Sequence, residues 1–133
     1  MNYQDLDYLV TGEGRDLVLL HGWGTNKECW SQLMADLSTE YRVWALDLPG
    51  FGNSPAPNSV VGVVEYAHCV NEFIQNNIGG RVALIGHSFG GRIAIVLANI
   101  STLVERLILI DSAGVPPRFS FKRFFKIDRK SVV

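Results

Sequence analysis

Six residues, Gly86-His87-Ser88-Phe89-Gly90-Gly91, stand between a continuous apolar run, Val82 to Ile85, and a stretch from Phe89 to about Asn99 that is apolar almost all round. A short apolar run bounded by turn formers predicts a strand covered on both faces, and Ile93, Ile95, Val96 and Leu97 predict a buried helix. The glycines let that strand reverse into that helix with almost no loop. Gly86 and Gly90 are expected where strand and helix pass so closely that a Cβ would clash, and Gly91 extends the tolerance by one residue. Ser88 matches the serine of G-x-S-x-G and is expected in a strained backbone conformation at the amino end of the helix, its hydroxyl exposed.

The rest of the chain repeats the same alternation. Leu6, Tyr8 and Val10 alternate with polar neighbours, which predicts a strand with one buried face, and Gly12-Glu13-Gly14 turns the chain. Leu17 to Leu20 reads as a second strand buried on both faces, followed by the loop His21-Gly22-Trp23-Gly24. Trp30, Leu33, Met34 and Leu37 fall at helical spacing and predict a helix over residues 27 to 38. Arg42 to Leu46 predicts a strand that runs into Asp47-Leu48-Pro49-Gly50-Phe51-Gly52-Asn53-Ser54, a loop dense in turn formers. Val63, Ala67, Val70, Ile74 and Ile78 predict a second helix, capped at Ser59 and ended by Gly79-Gly80, and Leu107 to Ile110 predicts a last strand. Strands alternating with helices imply an α/β fold, a doubly wound and mostly parallel sheet with helices on both faces. Ligands are then expected at the carboxyl ends of the strands. Residues 1 to 113 form one core unit on this reading.

Composition narrows the class of partner. The chain has 133 residues, 47% hydrophobic and 19% charged, which suits a folded domain rather than a disordered one. A net charge of -1 gives no electrostatic reason to bind nucleic acid or an anionic membrane, and Arg118 to Lys130 is the one basic stretch. Cys29 and Cys69 are too few for a disulfide framework or a zinc site and are expected as reduced thiols in or near the core. Met1 to Asp7 is acidic and no apolar run approaches a membrane span, so a cytoplasmic location is expected.

The chemistry follows from the serine. A hydroxyl is a poor nucleophile unless a base takes its proton and donors receive the charge that develops on the attacked carbonyl. The Phe89 N–H, at the start of a helix, is a candidate donor, and the Trp23 N–H, in the loop after an earlier buried strand, is a second. The plainer reading treats both segments as glycine-rich turns. Together, HGWG, DLPGFGNS, GHSFGG and LILIDSAG, in this order and spacing, resemble the α/β-hydrolase superfamily from about Tyr3 to Phe125, and within it the cap-bearing esterases and C-C bond hydrolases.

That resemblance implies Ser88 as nucleophile, backbone donors at Trp23 and Phe89, a small ester or C-C ketone as substrate, and no metal or organic cofactor. It also implies a triad in the chain order serine, acid, histidine. None of the histidines suits the base: His21 lies in the donor loop, His68 in a helix before the elbow, and His87 beside the nucleophile on a tight turn. Asp111, at the ligand-facing end of a strand, is expected to cap a helix or brace a loop rather than serve as an unusual triad acid. Gly114-Val115-Pro116-Pro117 with Phe119, Phe121, Phe124, Phe125 and Ile127 resembles the entry into a helical cap, so residues 114 to 133 are expected to begin one. The chain is accordingly expected to stop before its acid and histidine. A noncatalytic small-molecule-binding module and a nonfunctional gene fragment are the alternatives.

Overall fold

A computed structural model describes residues 1 to 114. Five strands, β1 (Tyr8–Thr11), β2 (Arg15–Leu20), β3 (Tyr41–Leu46), β4 (Val82–His87) and β5 (Val104–Ile110), form one sheet in the order β1-β3-β2-β4-β5. Only β1 runs antiparallel to its neighbour; the other pairings are parallel. The helices are α1 (Ser31–Leu37), α2 (Val63–Phe73) and α3 (Phe89–Ile100).

The period of two along the central strands decides which layer each side chain joins. Val18 and Leu20, Trp44 and Leu46, and Val82 and Leu84 face a core shared with Tyr66, Val70 and Phe73 of α2 and Ile93 and Leu97 of α3. Leu17 and Leu19, Val43 and Ala45, and Ile85 face a smaller core with Trp30 and Met34. Helices therefore cover both faces, as the alternation of elements implies.

Several local expectations change. All four β1 residues are exposed rather than alternately buried, because β1 is an edge strand; Tyr8 alone reaches inward, its ring against Trp44 and Phe73. The expected helix over residues 27 to 38 opens with a 3-10 turn, Lys27–Trp30, before α1 begins. α2 is capped at Gly62 instead of Ser59, because the Glu65 carboxylate accepts the Gly62 N–H at 2.8 Å and fixes the first turn there. Its continuation Ile74–Ile78 winds as a π-helix and stops at Gly79, whose φ of +75° is left-handed. Cys69 is buried as expected, whereas Cys29 is exposed. The expected cap, apart from Gly114, lies outside the described residues.

Candidate active site

The carboxyl ends of β2, β3 and β4 place three loops side by side. At the end of β4 the chain turns through Ser88 into α3 with φ +49° and ψ −110°, a conformation that a residue with a Cβ adopts only under constraint. The constraint is visible in the glycines. A Cβ on Gly86 would stand 2.6 Å from both the Gly90 carbonyl oxygen and the Gly91 Cα, and one on Gly90 would run into the Leu20 and His21 carbonyls. The elbow thus packs directly on the end of β2, and the Ser88 N–H is held by the Ile110 carbonyl at 3.1 Å.

The loop after β2 lies against this turn. A Cβ on Gly22 would meet the His87 ring nitrogen Nδ1 at 2.9 Å and the Ser88 Cβ at 3.4 Å, so this backbone passes next to the serine. Beyond it the Trp23 ring is 69% exposed and packs edge-on against Phe51 and Phe89, with Tyr66 on the far side of Phe89. Neither the Trp23 N–H nor the Phe89 N–H has a hydrogen-bond partner among the described residues. Two free backbone donors and a helix amino end therefore flank the serine, an arrangement suited to negative charge on a bound oxygen.

Charged and polar side chains behind the loops hold them in place. His21 is fully buried; its Nε2 accepts the Leu48 N–H at 3.0 Å and its Nδ1 lies 2.8 Å from the Gly22 carbonyl, which fixes the neutral tautomer with the proton on Nδ1. Burial pushes its pKa below the usual histidine value. Lys27 is buried too. Its ammonium contacts Asp47 and Asp7 at 2.7 Å each, while Asp47 also accepts the backbone N–H groups of Lys27 at 2.7 Å and Asn53 at 2.9 Å. Burial opposes the charge on Lys27, but the two carboxylates outweigh it and hold the ammonium above the ordinary lysine range. A Cβ on Gly52 would overlap the Asp47 carboxylate, so the loop wraps that group closely.

The sequence-derived candidates Ser88, Trp23 and Phe89 thus come together. No side chain among the described residues hydrogen-bonds the Ser88 hydroxyl, His68 is exposed on α2, and Asp111 is exposed with a left-handed φ of +48°. Sequence reasoning missed the Lys27–Asp47–Asp7 cluster. A lysine just before a helical stripe was the only signal there.

A model of the alpha/beta hydrolase family matches residues 17–131. A pimeloyl-[acyl-carrier protein] methyl ester esterase of Vibrio cholerae is 36% identical over 116 residues, 86% of this chain and 42% of that protein. The enzyme of the same name from Aeromonas hydrophila is 44% identical over 88 residues, 65% of this chain and 33% of that protein. Among solved structures, a membrane phospholipase A described as a bacterial virulence factor superposes with a TM-score of 0.80 at 36% identity, covering 94% of this chain and 42% of that one. The chain spans less than half the length of these relatives.

Proposed function

The chain belongs to the alpha/beta hydrolase family, and from that premise we propose that the protein is a serine hydrolase acting on a small ester through an acyl-enzyme at Ser88. The observation that carries this reading is the pairing of a strained Ser88 at the amino end of α3 with two backbone donors, at Trp23 and Phe89, that have no partner among the described residues. In the reaction the Ser88 oxygen bonds to the ester carbonyl carbon while its proton passes to a base. The carbonyl oxygen takes up the electron pair and is received by the two N–H groups. Collapse of that intermediate breaks the bond to the alcohol, which leaves with the proton; water then repeats the sequence in reverse and frees the acid.

Both nitrogens of His21 are already engaged, so it does not serve as the base. The proton acceptor and its orienting acid are expected from the part of the relatives' length that this chain does not span. A C-C ketone substrate uses the same serine and donors. The ester is preferred because the two relatives described above are methyl ester esterases.

A fluorophosphonate probe tests the proposal. The full-length protein should be labelled rapidly, its Ser88→Ala variant not at all, and its His87→Ala variant like the parent. A folded full-length protein that resists the probe, yet binds small molecules, would be a noncatalytic module instead.

A further inference from the structure

The donor at Trp23 belongs to the peptide unit whose other end is the Gly22 carbonyl, and that carbonyl is crowded with partners. The His21 ring Nδ1 lies 2.8 Å from it, the Thr25 hydroxyl donates to it at 3.1 Å, and the Thr25 backbone N–H donates at 3.3 Å. Gly24 makes the return of Thr25 possible: its φ is +75°, and a Cβ there would meet nothing within 4 Å, so conformation rather than space calls for glycine.

A trans peptide is planar, with its C=O and N–H pointing in opposite directions. Fixing the Gly22 oxygen therefore fixes the direction of the Trp23 N–H. Donors on a carbonyl also draw electron density through the amide and strengthen its N–H as a donor in turn. Two of the three contacts serve other ends as well: His21 also accepts from Leu48, and the Thr25 N–H closes the turn. The Thr25 hydroxyl also lies beside the Cys29 thiol, but its single proton goes to the Gly22 carbonyl, so toward the thiol it can only accept.

We propose that Thr25 is a positioning residue, whose hydroxyl aims and polarises the Trp23 N–H by holding the Gly22 carbonyl. This rests on the reading of Trp23 as an oxyanion donor. Thr25 touches no substrate; it acts through one peptide unit.

The test compares Thr25→Val, Thr25→Ala and Thr25→Ser in the full-length protein, with an activated ester and with an aldehyde or boronate that mimics the tetrahedral intermediate. Loss of a whole oxyanion donor costs about 100- to 1,000-fold in kcat; a donor left in place but loosened should cost about 3- to 10-fold. Thr25→Val and Thr25→Ala should both show that loss in kcat with KM little changed, and a matching loss of affinity for the mimic. Thr25→Ser, which keeps the hydroxyl, should restore both. A hydroxyl that only stabilised the loop would leave the split between kcat and KM, and the mimic's affinity, unmoved. Parental kcat and mimic affinity in both hydroxyl-free variants, or a loss in Thr25→Val alone, would overturn the inference while leaving Ser88 as nucleophile. A parent that neither hydrolyses esters nor takes the fluorophosphonate would instead remove the hydrolase reading, and this inference with it.

Discussion

At the scale of single residues, the elbow was readable because its signal is local. Glycines at fixed offsets around Ser88, between an apolar strand and an apolar helix, have a steric cause confined to a few neighbours. His21 shows the opposite case. Its place in the donor loop was legible, but its role depends on Leu48, 27 positions away, and no periodicity reports such a bond. That role has a pH consequence. Protonating Nε2 would turn an acceptor into a donor facing the Leu48 N–H, and burial already disfavours the charged ring. The unfolded ring titrates near 6.5 and the folded ring lower, so across the interval between them the unfolded chain binds the extra proton. The His21 contribution to stability is therefore complete above 6.5 and is lost as the pH falls through that interval. Ring nitrogen chemical shifts should show the proton on Nδ1 at pH 7 and a midpoint below 6.5. A midpoint above 6.5 would contradict the buried acceptor role.

At the scale of elements, the strands and α3 were legible from runs and periods, whereas starts and caps shifted when side chains chose partners. The cap of α2 moved from Ser59 to Gly62 because Glu65 reaches back to the Gly62 N–H, and the first turn of the helix expected from residue 27 tightened into a 3-10 turn. That turn begins at Lys27, whose backbone and side chain both bind Asp47. The loop after β2 and the loop after β3 are thereby tied through one buried ion pair. Replacing Lys27 with Met would leave the Asp47 carboxylate, fully buried, without its counter-charge. Breaking one side of such a pair costs about 3 to 5 kcal/mol. Asp7 contributes far less, because its side chain is 40% exposed and water screens it; Asp7→Asn should cost under about 1 kcal/mol. Urea unfolding of the two variants should show this asymmetry, and equal losses would mean that Lys27 is stabilised mainly at the surface.

At the scale of the whole molecule, alternating strands and helices were enough to imply a mostly parallel sheet with two helical layers. The antiparallel setting of β1 was not, because a short amphipathic strand reads the same in either direction. The sheet's two edges also differ from its centre in what they leave uncovered. At β5, Leu107, Ile108 and Ile110 are 37%, 49% and 42% exposed, and Ile108 joins Leu17, Leu37, Tyr41, Ala83 and Ile85, together with the charged Arg15, Glu105 and Arg106, around an open cleft of about 150 Å³. Among the described residues no strand pairs with the outer edge of β5, and apolar side chains beside an open strand edge favour pairing with another chain. The 133-residue chain, purified by itself at micromolar concentration, should therefore enhance the fluorescence of an apolar dye and elute above its monomer mass by light scattering. Ile108→Lys places a charge on a half-exposed side chain at that edge, and should shift the population toward monomer. If the parent chain were a monodisperse monomer that left the dye dark, β5 would have to be covered in solution.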